Sequence, residues 1–195
     1  MSRRLACCAA PRAQHLERDG LYGHAWQRLL RGVHDRHAPA RHPTLATVSP
    51  DGLPKARTVV LRAADRSQGR LEIHTNLHSS KIADLMARPV AALHVWDAGS
   101  RLQIRVEAEV EIASGAAVAD IWDRVPDRSR TAYGSSHTPG HPIPSALAYD
   151  NDPDLSVFAV LHLSIRSLDL LHLGTDHRRA RFTRENGWAG QWLVP

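Results

Sequence analysis

The alternation of apolar and polar residues is clearest in the middle of the chain, where it predicts an antiparallel sheet. Between residues 102 and 112, apolar residues at even positions alternate with polar ones such as Gln103 and Glu107, the pattern of a half-buried strand. Residues 45–48 and 55–63 flank the turn signal Ser49-Pro-Asp-Gly52 and predict a hairpin. Further strands are predicted at residues 70–75, 90–96, 155–165, 168–173, 179–183 and 188–193. Many antiparallel strands favour a closed barrel with a ligand at its rim.

Helical spacing is confined to a few segments, so the predicted class is mainly β with flanking helices (α+β). Residues 23–33 and 79–88 each place apolar side chains at helical intervals, and the second segment ends before Pro89. Residues 116–122 predict a third helix, and residues 126–136 a further helical or loop segment. Residues 137–153 are rich in Pro, Gly, His and Asp and predict a surface loop.

Length and composition indicate one domain, residues 19–195, behind a disordered leader, residues 1–18. The chain has 195 residues, and 43% of them are hydrophobic, an ordinary share for a globular core. Its two cysteines, Cys7 and Cys8, are adjacent and lie in the leader. They cannot form a framework of long-range disulfides, which favours the cytoplasm. No apolar run is long enough to span a bilayer, so we expect no membrane partner.

The charge pattern and the histidines do not predict a nucleic-acid or metal site. The net charge is +5, but the arginines are scattered and no nucleic-acid-binding motif accompanies them. His137 and His141 have a ligand-like interval, yet they lie in the Pro-rich loop without a paired Cys or Glu motif. We therefore expect neither a nucleic-acid partner nor a metal. No motif for nucleophilic catalysis is present either, so catalytic residues stay unassigned.

An ordered series of polar residues follows the strand ends and one helix start, and it predicts a phosphate site. The start of the helix at residues 79–88 carries Ser79, Ser80 and Lys81. Free backbone N–H groups and the positive end of the helix dipole favour an anion there. Lys81 is one of only two lysines in this Arg-biased chain, the other being Lys55. The series comprises Arg57, Arg62, His74, Thr75, Ser80, Lys81 and Gln103.

In order and spacing, these residues resemble the pyridoxamine 5′-phosphate oxidase-like, FMN-binding split β-barrel family, from about Trp26 to the C-terminus. The resemblance implies an antiparallel split barrel that binds FMN. It implies phosphate and flavin contacts from Arg57 and Arg62, with the backbone of Thr58, Val59 and Val60 passing along the isoalloxazine ring. The further cofactor contacts that it implies are His74, Thr75, Ser80, Lys81, Gln103 and, near the C-terminus, Arg181.

The substrate side departs from the family pattern. The family's Tyr, Arg and Ser that hold the substrate phosphate correspond here to Ile121, Val125 and Ser129. A family tryptophan corresponds to Leu171, and a substrate arginine to His177. A shift in register would bring Arg124, Arg128 or Arg130 into the place of the lost cation. Ser129, Arg130 and His177 are therefore the substrate-side candidates.

Two functions follow from the resemblance. The first is an FMN-dependent oxidoreductase that acts on a small amine or other reduced substrate. The alternative is a non-catalytic protein of the split-barrel class that binds or carries flavin or haem. In either case the family implies a homodimer that builds each flavin site from both subunits.

Overall fold

A computed structural model describes the backbone of residues 11–195 and the side chains from Arg18 onward. Cys7 and Cys8 lie outside the described residues. The first helix, α1, spans Pro11–His34, so it begins well before the segment 23–33 that the periodicity predicted. In the part of the chain described, no helix is long and apolar enough to cross a membrane.

Over residues 11–195, nine antiparallel strands form one sheet around which the helices pack. The strand order is β2-β1-β5-β6-β7-β4-β3, and β8 pairs with both β7 and β9. The strands are β1 Thr44–Val48, β2 Pro54–Thr58, β3 Leu61–Asp65, β4 Arg70–Asn76, β5 Val90–Asp97, β6 Leu102–Ser114, β7 Phe158–Leu173, β8 His177–Thr183 and β9 Gly190–Leu193. The predicted mainly β, antiparallel class is confirmed.

The sheet is not closed, so the prediction of a closed barrel is wrong and the arrangement is that of a split barrel. Strands β2 and β3 end the path without pairing to each other. The split occurs along β7, whose N-terminal half pairs with β4 and whose C-terminal half pairs with β8. A bulge between Ile165 and Ser167 marks the change of partner. The two strands predicted at residues 155–165 and 168–173 are thus one long strand that begins at Phe158, and Leu155–Val157 form a short 3-10 turn before it.

The predicted strand 55–63 is two strands, β2 and β3, because the chain leaves the ladder at Val59 and Val60. The Val59 N–H still donates to the Pro43 carbonyl, 3.0 Å away, which extends the β1–β2 register by one residue before the chain turns away. The apolar side chains of this segment favoured an uninterrupted strand in the sequence. The structure uses the break to direct β3 to β4, at the far edge of the sheet from β2.

The core lies between the inward face of the sheet and the helices. Trp26 and Leu29 of α1 are fully buried against it. The second helix, α2 (Ser80–Ala87), buries Ile82 and Leu85. A smaller apolar cluster around Trp122, Tyr133 and Phe158 packs under α3 (Ala119–Arg124) and α4 (Asp127–Arg130). Residues 137–153 contain no helix or strand and only one isolated bridge, Ser135 to Asn151, as a loop was predicted.

Candidate functional site

At the start of α2 and the end of β4, two side-chain hydroxyls lie against the ammonium group of Lys81. Lys81 Nζ donates to Thr75 Oγ1 at 2.9 Å and to Ser79 Oγ at 3.0 Å. Thr75 and Ser79 are buried, whereas Ser80, the predicted contact, is exposed. The hydroxyl beside the lysine is therefore that of Ser79. We call Arg57, Thr75, Ser79 and Lys81 the Lys81 cluster.

Arg57 reaches this cluster from β2 and is held by two side chains that sequence reasoning missed. Its Nη1 donates to Thr47 Oγ1 at 2.5 Å, and its Nη2 lies 3.2 Å from Asp84 Oδ2. Thr47 in turn donates to Asp84 Oδ2 at 2.6 Å. A carboxylate on the inward face of α2, among Ile82 and Leu85, was the available signal, because an acid is rarely buried unless it is paired.

The electrostatics of the Lys81 cluster favour an anion. Burial lowers the pKa of Lys81, and the nearby Arg57 guanidinium lowers it further. The Asp84 carboxylate opposes both effects. A bound anion would relieve the repulsion between the two cations and replace the water that Lys81 has lost. Because α2 begins here, its N-terminal backbone dipoles add to the same preference.

A second feature is a cavity of about 440 Å³ between the sheet and α3, lined by residues that include Arg62, His74 and Glu72. We call it the Arg62 cavity. The His74 ring is nearly buried and its Nε2 lies 2.8 Å from Glu72 Oε1. This hydrogen bond lowers the pKa of Glu72, against the opposing effect of burial. Arg62 lies 3.4 Å from the Tyr133 hydroxyl. Arg62 Nε and His74 Nδ1 are buried and have no hydrogen-bond partner among the described residues.

The cavity wall includes part of the segment whose register the sequence left open. Val125 and Ile121 line the cavity, and Arg124 lies beside them. Arg41, which sequence reasoning did not select, also lines it, but its Nη1 is bonded to the carbonyls of Val33 and Leu61.

The three substrate-side candidates do not meet in this cavity. Arg130 packs over the Trp122 ring at 5.3 Å and donates to the Asp123 carbonyl. Ser129 is half-buried on α4, and His177 is exposed at the start of β8. None of the three belongs to the cavity lining. Of the arginines in this segment, Arg124 is the one that borders the cavity.

Gln103 and Arg181 form a third group, on the outward face of β6 and β8. Gln103 Oε1 lies 3.3 Å from His94 Nε2, and Arg181 pairs with Glu107 at 3.0 Å. Arg181 borders an open, largely apolar groove of about 660 Å³ that also includes Val48 and Val90. The two residues contact neither the Lys81 cluster nor the Arg62 cavity through any of these bonds. The predicted cofactor residues thus occupy three places in one chain.

The segment that the resemblance places along a flavin ring lies between β2 and β3. Thr58 is exposed, Val60 is half-buried and Val59 is almost fully buried. Arg57 precedes this segment and Arg62 follows it, so the segment connects the Lys81 cluster to the cavity. Among the described residues, no group of three or more His, Cys, Asp or Glu side chains is placed to hold a metal ion.

Comparison with known proteins agrees with this arrangement. The family model described as "Pyridoxamine 5′-phosphate oxidase, FMN-binding domain" matches residues 23–114, which include the whole Lys81 cluster. The match indicates FMN as the cofactor. A crystal structure of a pyridoxamine 5′-phosphate oxidase-related, FMN-binding protein from Nostoc punctiforme superposes with a TM-score of 0.68 at 24% identity, covering 98% of both chains. At that identity the likeness supports the fold.

Curated relatives carry the name pyridoxine/pyridoxamine 5′-phosphate oxidase. One from Acaryochloris marina is 40% identical over 152 residues, which are 78% of this chain and 60% of that protein. One from Microcystis aeruginosa is 41% identical over 85 residues, which are 44% of this chain and only 39% of that protein. The second such oxidase of Arabidopsis thaliana is 28% identical over 87% of this chain and 96% of its own length. The chain is thus similar to the pyridoxamine 5′-phosphate oxidase-related, FMN-binding proteins, in sequence over the matched segment and in its split-barrel fold.

Proposed function

We propose that this protein is an FMN-dependent oxidoreductase that acts on a small amine or other reduced substrate. The observation that carries the proposal is the Lys81 cluster. Its two cations and two hydroxyls lie at a helix start within the matched FMN-binding segment. Surface charges rarely hold such an arrangement, because bringing Lys81 and Arg57 together out of water costs free energy that a bound anion offsets.

The residues present fit FMN in two places. The Lys81 cluster offers charge-assisted donors to a phosphate, for which Lys and Arg are well suited. At the other end of the segment containing Thr58, Val59 and Val60, the partnerless Arg62 Nε and His74 Nδ1 offer polar groups to a bound molecule. Buried polar atoms normally have partners, so these two atoms support a ligand in the Arg62 cavity.

In this proposal the chain's own residues bind and orient, and the flavin supplies the redox chemistry. When held by Lys81, Arg57 and Arg62, FMN would supply the redox chemistry, which is hydride acceptance from the substrate and electron transfer to dioxygen or another acceptor. Lys81 and Arg57 hold the phosphate, while Arg62 places positive charge beside the ring and the substrate. Glu72 fixes the orientation of the His74 ring through the 2.8 Å hydrogen bond. Ser80 is available to the phosphate through its backbone N–H in the first turn of α2.

The position of Gln103 and Arg181 suggests that the complete site requires two copies of the chain. Gln103 and Arg181 lie on the outer sheet face, next to the exposed apolar side chains of Val48, Val90 and Trp96. Exposed apolar side chains grouped around a groove are typical of an interaction surface. We propose a two-fold homodimer in which this face covers the partner's flavin site and contributes Gln103 and Arg181. His177, on the same strand as Arg181, then approaches the partner's substrate.

One observation favours the alternative, a flavin or haem carrier without amine oxidation. The substrate wall presents Val125 and Ile121 where the family places an arginine and a tyrosine.

Arg62 and Arg124 leave the cavity cationic, so we favour a substrate with an acidic group that differs from pyridoxamine 5′-phosphate in size or shape. In this proposal Ser129 and Arg130 do not contact the substrate. They affect the substrate site only through the position of α3 and α4.

The remaining expectations about the chain are part of the same proposal. We propose a single domain over residues 19–195, preceded by a leader of residues 1–18 whose second half belongs to the first turns of α1. We propose a cytoplasmic location, because the only two cysteines, Cys7 and Cys8, are adjacent and suit a reducing compartment.

Two measurements test the function. Protein reconstituted with FMN and desalted should retain a bound yellow chromophore, and a colourless product would contradict FMN binding. The bound flavin should then be mixed anaerobically with candidate amines, including pyridoxamine 5′-phosphate. Stoichiometric bleaching by an amine supports an oxidase. A flavin that no amine reduces, but that a reduced nicotinamide or dithionite bleaches, supports a carrier or reductase.

A further inference from the structure

We propose that Asp84 is a positioning residue that holds the Arg57 guanidinium in the orientation needed to bind the cofactor phosphate. The inference rests on the proposed FMN site and adds a residue that the resemblance did not supply. Asp84 lies on α2, Thr47 on β1 and Arg57 on β2. The three side chains therefore connect the helix that carries Lys81 to the hairpin that carries Arg57.

The geometry of the three side chains leaves Arg57 little freedom. Asp84 Oδ2 accepts from Thr47 at 2.6 Å and pairs with Arg57 at 3.2 Å, while Thr47 Oγ1 accepts from Arg57 at 2.5 Å. Asp84 and Thr47 are each only 4% exposed. A guanidinium tied to two buried, mutually bonded oxygens loses little further freedom when it binds a phosphate.

The sign of the charge makes the proposal unusual and testable. A phosphate ester carries close to two negative charges, so a carboxylate beside its site repels it. If Asp84 acted on the phosphate through its charge alone, removing that charge would strengthen FMN binding. If Asp84 acts by orienting Arg57, removing the charge weakens binding. The two roles predict opposite changes in one measured affinity.

The test compares FMN with riboflavin, which lacks the phosphate, in the full-length protein and in Asp84→Asn. Asparagine keeps the size of the side chain but removes its charge. We expect D84N to bind FMN about tenfold or more weakly, the loss typical of a disrupted charge-assisted hydrogen bond, and to bind riboflavin as the unchanged protein does. FMN binding that is equal or tighter would overturn the proposal. An equal loss for both ligands would also overturn it, because the effect would not act through the phosphate.

The chain offers a matched control in Asp97→Asn. Asp97 is also 4% exposed and pairs with an arginine, Arg28, at 3.3 Å, but it lies at the far end of β5. D97N should change thermal stability without changing the ratio of FMN to riboflavin affinity. A ratio that falls in D97N as much as in D84N would assign the effect to general loosening of the fold and overturn the proposal.

A second variant keeps the proposal testable if D84N does not fold. Thr47→Val removes the hydroxyl that accepts from Arg57 and leaves the Asp84 charge in place. We expect the same selective loss of FMN affinity, and an unchanged FMN to riboflavin ratio would contradict the positioning role. If the unchanged protein binds riboflavin and FMN equally well, the proposed phosphate site itself fails, which is a different outcome from failure of the variants.

Discussion

The Lys81 cluster and the Arg62 cavity are built in different ways, although the segment Thr58, Val59 and Val60 joins them. The cluster comes from β2, β4 and α2, all within the segment that the FMN-binding family model matches. The cavity adds a wall from α3, which lies beyond residue 114. By the resemblance, Thr75 and Lys81 of the cluster match the family pattern, whereas Val125 in the cavity wall stands where the family has an arginine. We therefore propose that cofactor binding is retained while the substrate side differs.

The largest expected effect concerns the substrate side. We expect pyridoxamine 5′-phosphate to be a poor substrate, because Val125 and His177 stand where the family has arginines. Each lost charge-assisted contact costs about 1.5–3 kcal/mol of transition-state binding. If both contacts are lost, kcat/KM should fall by about two orders of magnitude or more. The measurement is steady-state oxidation, with the Acaryochloris marina relative assayed alongside.

A substitution sharpens this prediction. Restoring one arginine in His177→Arg should raise kcat/KM for pyridoxamine 5′-phosphate about tenfold, since His177 is exposed and tolerates the larger side chain. The matched control is His42→Arg, at another exposed histidine. If the unchanged protein turns over pyridoxamine 5′-phosphate as fast as the relative does, the correspondence of Val125 and His177 to the family's arginines is wrong.

The contrast between the two regions also explains what the sequence could predict. Arg57, Thr75 and Lys81 follow short local patterns at strand ends and a helix start, so order and spacing sufficed to select them as candidates. Thr47 and Asp84 were missed because their pairing with Arg57 joins three separate elements, and only Asp84 left a local signal, as an acid on the apolar face of α2. The cavity joins Arg62 and Val125, which are distant in sequence, so it required the fold.

Sheet topology was predictable in class and not in detail, for a related reason. Alternation identified β6 over nearly its full length. It could not show that β7 changes partner at a bulge, because both halves of the strand carry the same alternating pattern. Nor could it show the break after Thr58, since Val59 and Val60 have high strand propensity.

The homodimer provides the next test, because it determines whether Gln103 and Arg181 reach the Lys81 cluster of a partner. Val90→Ala should weaken dimerisation. Two methylene equivalents at about 0.8 kcal/mol each are lost per subunit, and two-fold symmetry doubles the loss to about 3 kcal/mol if the side chain is fully covered. Light scattering over a dilution series measures the change, with and without FMN.

The same substitution at an exposed tail position, Val194→Ala, is the control and should leave the dimer unchanged. If FMN binds only the dimer, saturating FMN should shift dissociation to lower protein concentration. A monomer at micromolar concentration with FMN fully bound would contradict a shared site.

Within the Lys81 cluster, Lys81→Ala should weaken FMN binding by about 1.5–3 kcal/mol, the cost of a charge-assisted hydrogen bond to a phosphate. Lys55→Ala is the matched control, because Lys55 is the only other lysine and is exposed on β2. Fluorescence quenching of FMN during titration gives both dissociation constants. Equal affinities in the two variants would assign Lys81 to a solvated surface and leave the cluster without its proposed ligand.

The smallest expected effect is on the cavity side and depends on pH. The His74 hydrogen bond lowers the pKa of Glu72 in the folded protein, so the unfolded chain binds more protons at this residue as the solution becomes acidic. Its stabilisation is therefore fully present above the unfolded value of about 4.3 and is lost as the pH falls through the folded value. Glu72→Gln should lower the free energy of unfolding by about 1 kcal/mol at pH 7 and by progressively less below pH 4.

Glu185→Gln, in the exposed turn after β8, is the control and should leave the urea midpoint unchanged at each pH. If E72Q shows the same loss of stability at pH 7 and at pH 3, the pairing of Glu72 with His74 does not depend on the carboxylate charge, and Glu72 does not orient the His74 ring in the way proposed.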